Sequence, residues 1–199
     1  MVSASDLKPY QSESDEENNV DPEGTTVLIL PSFTFVDSVT PGNVNELLNR
    51  FVINARKGQA GANGEKQDPD CRLTSRPCEH DFVILLCSHK RRDARCGLTA
   101  PLLKKEFERQ LRPYGLCRDA EDTRPGGVGI HFVSHVGGHK FAANVLIYRK
   151  KEQQMIWLAR IRPEHCEGIV KYTLLQGKVV HPESQLRGGF DDVRGLTSW

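Results

Sequence analysis

The stretch Phe82-Val-Ile-Leu-Leu-Cys87-Ser-His-Lys-Arg-Arg-Asp-Ala-Arg-Cys96 passes from an unbroken apolar run into a basic loop framed by two cysteines. Phe82–Leu86 offers no polar residue to water, as expected of a buried strand with both faces covered. After the loop, Leu102, Leu103, Phe107 and Leu111 fall near helical spacing, so Leu98–Leu111 reads as a helix. Val128–Ser134 is a second strand. Asn144–Tyr148 and Met155–Ile161 read as a strand pair joined by the charged turn Arg149–Gln154. Pro163 then opens a helix to about Gln176, with Ile169, Val170, Thr173 and Leu174 on one face and Gly177 as its stop.

The order is therefore strand, helix, strand, strand, strand, helix. That succession predicts an α/β domain, residues 80–199, with a mixed sheet in a thioredoxin-like layout. The tail from Lys178 to Trp199 has little period and is expected to lie over the surface. Upstream, residues 55–79 are rich in Gly, Asp and Pro and read as a mobile linker. Before it, Thr26–Leu30 reads as a short strand. Asn43–Val52 reads as a helix, because Val44, Leu47, Leu48 and Phe51 form one stripe. Residues 1–25 are acidic, poor in apolar groups and expected to be disordered, since they cannot offset the entropy of ordering.

Composition excludes several classes. The longest apolar run has six residues, against the roughly 20 that a membrane-spanning helix needs. No cationic start followed by an apolar stretch marks a secretory signal, and an Arg-rich presequence is not visible either. The net charge of +1 hides a split: residues 1–80 carry 7 Lys/Arg against 13 Asp/Glu, and residues 81–199 carry 20 against 13. The basic half has no cationic run interleaved with aromatics, so nucleic acid is not the expected partner. An acidic protein surface suits it better. No glycine-rich phosphate loop, serine elbow or paired-acid constellation stands out.

The informative constellation lies at two strand ends. Cys87 closes the first strand and Cys96 follows after eight residues; His135 follows the second strand and His139 comes after three more. Taken singly, such a cysteine is an ordinary core residue and such a histidine an ordinary surface group. As a pair of pairs at the ends of parallel neighbours, they would meet at the sheet edge where open α/β sheets hold ligands. Two thiolates and two imidazoles suit zinc or an iron–sulfur cluster. An eight-residue loop is long for one zinc ion, and Gly137-Gly138 allows close approach to a bulky core.

Cys87–Ala100 (CSHKRRDARCGLTA), His135–Asn144 (HVGGHKFAAN) and Trp157–Val170 (WLARIRPEHCEGIV) together resemble the sucrase/ferredoxin-like family. The resemblance runs through residues 80–199 and, more faintly, 26–54. It implies a thioredoxin-like [2Fe–2S] ferredoxin domain with Cys87, Cys96, His135 and His139 as cluster ligands. Residues 26–54 would then be a strand–helix remnant of a longer N-terminal domain that in the family carries its own cysteines. It also implies a mitochondrial setting, whereas the acidic start favours the cytosol. The implied role is an electron carrier or redox-homeostasis protein rather than a catalyst with its own substrate. Two neutral imidazoles in place of two thiolates make the oxidised centre neutral instead of dianionic. Reduction is then easier, as in centres spanning about −150 to +300 mV against about −400 mV for plant-type ferredoxins. A second imidazole nitrogen can also carry a proton that moves with the electron.

Competing readings use the same four residues as a structural zinc-binding interaction module, or the cysteines as a thiol oxidoreductase. The loop residues His89, Lys90, Arg91, Arg92 and Arg95 form either a docking rim for an acidic redox partner or a solvated loop shaped by Asp93. Lys140 reads as a surface lysine that would also tune the centre. Cys71 and Cys78, near His80, read as unrelated free thiols, a redox-active pair or spare metal ligands, and Cys117 sits in a loop. Cys166 lies beside His165, but adjacent helical residues diverge by about 100°, which disfavours a catalytic pair. The terminal Trp199 resembles aromatic tags read by iron–sulfur assembly machinery, or else packs on its own domain.

Overall fold

A computed structural model describes residues 3–7, 24–53, 73–119, 122, 124–136, 141–191 and 195–198. The chain divides into two compact units, residues 1–6 with 79–199 and residues 7–78. In the smaller unit, β1 (Thr25–Ile29), β2 (Thr34–Val39) and β3 (Thr74–Pro77) form an antiparallel sheet in the order β1-β2-β3. Val36, Val39, Leu47 and Leu73 are its core. Helix α1 (Val44–Leu47) runs on into a wider π turn over Leu48–Ile53. Two strands here were not read from sequence. The β2 stretch carries Asp37 inward, where Thr26 and Arg76 bond its carboxylate at 2.6 and 3.1 Å. Residues 74–77 look like linker by composition yet pair with β2. Cys78 just after them is fully buried.

The larger unit has the expected α/β, thioredoxin-like character. Strand β4 (Phe82–Cys87) lies between β5 (Val128–Val133), parallel to it, and β6 (Val145–Arg149), antiparallel. Strand β7 (Gln154–Leu158) follows β6. Ile84, Leu86, Val145, Ile147 and Leu158 meet Ala100, Leu103, Phe107 and Leu111 of helix α2 (Ala94–Leu111) in one core. A helical run follows: a 3₁₀ turn at Pro163–His165, α3 (Cys166–Gly168) and a π segment at Ile169–Leu174. It packs Cys166, Ile169, Val170 and Leu174 into the same core. Gly177 stops it with φ +70°. Buried Arg149 donates to the carbonyls of Leu174 and Leu175 at that end.

Three expectations need correction. Helix α2 starts at Ala94, not Leu98, because the Asp93 carboxylate accepts the Arg95 N–H at 3.0 Å and caps it. Pro101 is then interior and leaves the Gly97 carbonyl without its helical donor. Leu102 points outward, 58% exposed, while Leu103 one position on is 1% exposed. The tail is not a surface wrap. After the short α4 (Pro182–Gln185), β8 (Leu186–Asp191) and β9 (Gly195–Ser198) extend the sheet to the order β5-β4-β6-β7-β8-β9. Gly189 makes that pairing feasible, since a Cβ there would lie 2.4 Å from the Met155 carbonyl oxygen.

Residues 8–23 of the acidic segment lie outside the described residues. Residues 3–6, also expected to be disordered, bond to β5: Ser5 bridges Val133 in antiparallel register.

Candidate metal centre at the carboxyl edge of the sheet

Because β4 and β5 are parallel, with Cys87 opposite Val133, their carboxyl ends share an edge. Cys87 is the last residue of β4, and the loop 88–93 carries the chain up to α2. Cys96 sits in the first turn of that helix, not in the loop where the sequence placed it. The loop crosses the helix start closely. A Cβ at Gly97 would lie 2.4 Å from Lys90 Cβ and 2.8 Å from Lys90 Cα, so position 97 has room only for hydrogen.

This route brings the two sulfurs together. Cys87 is 2% and Cys96 3% exposed, neither is in a disulfide, and Cys87 is near enough to raise the Cys96 thiol. Burial, then the neighbouring sulfur, push the Cys96 thiol up to about 11, while a hydrogen bond from the Ala143 backbone N–H pulls the other way. Two adjacent buried sulfurs, one already accepting a peptide N–H, form a donor set short of positive charge. A cation coordinated there would deprotonate both thiols.

The loop before β6 fixes this pair. Ala143 holds φ +53° and is buried. The Cys87 N–H donates to the Asn144 carbonyl at 3.1 Å. Asn144 is itself held: its side-chain amide donates to the Phe141 carbonyl and its Oδ1 accepts the Trp157 indole N–H at 3.0 Å. Arg187 stacks on Phe141, 3.5 Å from the ring centroid, and Arg160 lies 5.1 Å from the same ring. None of these supports was read from sequence, since backbone donors and a left-handed alanine leave no mark in composition.

His135 is described two residues beyond β5, at the same edge, and is half-buried. His139 lies outside the described residues, as do Gly137, Gly138 and Lys140. Among the described residues, no three His, Cys, Asp or Glu side chains converge closely enough to hold a metal ion. The described part of the set is thus the thiol pair, with His135 on the same edge. The donor chemistry of that pair fits a thiophilic metal or cluster.

The loop cations divide. Arg95 forks onto Asp93 at 2.8 and 3.1 Å and shapes the helix start. Lys90, Arg91 and Arg92 are exposed, and the two arginines have no ion-pair partner among the described residues. Cys166 is fully buried, and its thiol is pushed up to about 12 by burial. Burial also raises Cys117. Cys71 and Trp199 lie outside the described residues. His131, on outer strand β5, was not singled out from sequence. Burial lowers it to about 4, Asp6 opposes that shift, and His80 and Lys104 add to it. Its Nε2 and the Nδ1 of His80 are buried without hydrogen-bond partners among the described residues. No helix of the described residues is long and apolar enough to cross a membrane.

The sucrase/ferredoxin-like family model matches residues 1–188. Actin patches distal protein 1 of Saccharomyces cerevisiae is 39% identical over 153 residues, 75% of this chain and 46% of that protein. Altered inheritance of mitochondria protein 32 is 43% identical over 101 residues in Clavispora lusitaniae, covering 51% of this chain and 33% of that protein. The Debaryomyces hansenii protein of the same name is 39% identical over 99 residues, 49% and 33% respectively. This chain therefore spans less than half the length of these relatives. No solved structure matches it.

Proposed function

This chain belongs to the sucrase/ferredoxin-like family, and on that premise we propose that it is an electron-transfer protein holding a [2Fe–2S] cluster through Cys87, Cys96, His135 and His139. The observation that carries the reading is the pair of buried, unbridged thiols at the carboxyl edge, one of them accepting a peptide N–H. A cluster bound there would accept and release one electron at a time.

The chain's own residues do the remaining work. Cys87 and Cys96 supply negative charge from a strand end and a helix start, two rigid supports. The Ala143 N–H offsets charge at the Cys96 sulfur. Burial of both sulfurs keeps water and oxidants from them. His135 and His139 would supply neutral nitrogen donors, each able to hold a proton on its second ring nitrogen. The exposed Lys90, Arg91 and Arg92 would draw an acidic redox partner to the edge. Burial and a raised thiol pKa disfavour the thiol-oxidoreductase alternative, because attacking thiols are accessible and carry lowered values. The names of two relatives point to mitochondrial inheritance in those proteins. A mitochondrial setting for this chain, and loading by iron–sulfur assembly machinery, follow as proposals.

The test is an anaerobic preparation examined by visible absorption, EPR and metal analysis. A coloured protein with about two irons per chain and an EPR signal on reduction is expected. A colourless protein with one zinc would instead establish the interaction-module alternative. His135→Ala and His139→Ala should change the spectrum or abolish it; unchanged spectra would exclude the histidines as ligands. A midpoint potential that stays flat between about pH 6 and 9 would argue against a coupled proton.

A further inference from the structure

Strand β5 is the outer strand of the six-stranded sheet, so its outer backbone groups need partners. Residues 3–6 supply them. The Ser134 N–H donates to the Ala4 carbonyl at 2.7 Å, and the Asp6 N–H to the Phe132 carbonyl at 3.2 Å. The Asp6 carboxylate accepts the Phe132 N–H at 2.9 Å and lies 3.9 Å from His131 Nδ1. The Ala4 N–H donates to the Ser134 hydroxyl at 3.1 Å, and the Ser3 and Ser134 hydroxyls share a bond of 2.9 Å.

This strap is held by backbone groups, by the Asp6 carboxylate and by the Ser3 hydroxyl. Ala4, Ser5 and Asp6 are themselves exposed, and no apolar side chain of theirs enters the core. Between the strap, Ser88–His89 and Phe132–Ser134 lies a cleft of about 320 Å³. The contacts therefore select an extended segment with one acidic residue, not this sequence in particular. The place is chemically pointed: Ser134 precedes His135, Ser88 follows Cys87, and the exposed cations 90–92 lie on the adjoining loop.

We propose that the outer edge of β5 at residues 131–134 is a strand-addition site for an extended acidic segment of a partner protein, occupied in this chain by its own Ala4-Ser5-Asp6. Addition of a strand to a sheet edge takes affinity from backbone bonds and specificity from alternate side chains. Here the Phe132 N–H provides that specificity by receiving a carboxylate. A partner segment must displace the strap, so the strap sets the threshold for docking. That a redox partner is the visitor rests on the electron-carrier reading; the docking chemistry does not.

The test uses the full chain, loaded as isolated, and hydrogen–deuterium exchange read by mass spectrometry over residues 128–136. Asp6→Pro removes both the N–H and the carboxylate of the strap. This variant is expected to exchange at least about ten-fold faster there than the unaltered chain. A synthetic peptide, Val-Ser-Ala-Ser-Asp-Leu-Lys, should restore protection in the variant and leave the unaltered chain unchanged. The same peptide with Lys in place of Asp should restore nothing. Unaltered exchange in Asp6→Pro, failure of the peptide to protect, or equal protection by both peptides would each overturn the proposal. Visible absorption of the same samples keeps the two readings apart, because a colourless chain that still docks the peptide sinks only the electron carrier.

Discussion

Two helix starts in the larger unit each present a buried cysteine, and they make opposite use of it. Cys96, in the first turn of α2, meets Cys87 and accepts the Ala143 N–H. Cys166, the first residue of α3, has its sulfur 3.9 Å from the Arg162 carbonyl, to which its S–H donates, and is otherwise enclosed by core. Both thiols are pushed far up by burial, to about 11 and about 12. Burial therefore does not separate a ligand from a core residue. The neighbourhood differs: Cys96 has a second sulfur and a peptide N–H beside it, whereas Cys166 donates to the Arg162 carbonyl within the core. Asp93 caps the first helix, whereas the second has no side-chain cap.

The comparison breaks most sharply if the two cysteines respond alike. Cys96→Ser or Cys87→Ser is expected to abolish visible absorption and bound metal, whereas Cys166→Ser keeps both. Loss of colour in Cys166→Ser alone would reverse the assignment. Next in size, Phe107 of α2 is fully buried in the core that helix shares with the α3 run. Phe107→Ala should cost about 3–5 kcal/mol in denaturant unfolding, because both helices lose the same support.

A third measurement separates the acid response of β5 from that of the helices. His131 has a folded-state value of about 4, below its ordinary 6.5, so the native chain binds fewer protons than the unfolded one. Its contribution is full above pH 6.5 and is lost as pH falls towards 4, by about 3 kcal/mol at 1.36 kcal/mol per pH unit. His131→Gln should flatten the unfolding free energy across that window; an unchanged slope would place the acid sensitivity elsewhere. Smallest is the cap itself. Asp93→Ala should lower stability by about 1 kcal/mol and loosen the first turn that carries Cys96. A melting curve unchanged within error would mean that packing alone holds that turn.

Much of the larger unit was legible because its residues repeat. The unbroken apolar run Phe82–Cys87 signals a buried strand, and the helical spacing of Leu103, Phe107 and Leu111 and the stripe from Ile169 to Leu174 each signal a helical segment by period. Where period fails, so did the reading. Leu186–Asp191 holds two glycines in the middle and no alternation, and it becomes a strand only because β7 needs an uncluttered neighbour. Thr74–Pro77 has no apolar residue and is a strand because β2 has an open edge. The start of α2 lies four residues before the first periodic residue, because the local signal at Asp93 is one capping carboxylate inside a run of charge. At the site, the cysteine spacing was visible in the sequence, while the peptide groups that orient the sulfurs were not. A backbone N–H has no letter of its own.

That last point bears on how the edge can vary. The donor to the Cys96 sulfur belongs to the main chain of Ala143, at a residue held at φ +53°. Exchanging the methyl group for another side chain leaves the donor in place, and proline, the one residue lacking it, is confined to φ near −65°. The polar contact at this sulfur is therefore carried by the main chain and does not depend on which side chain position 143 bears.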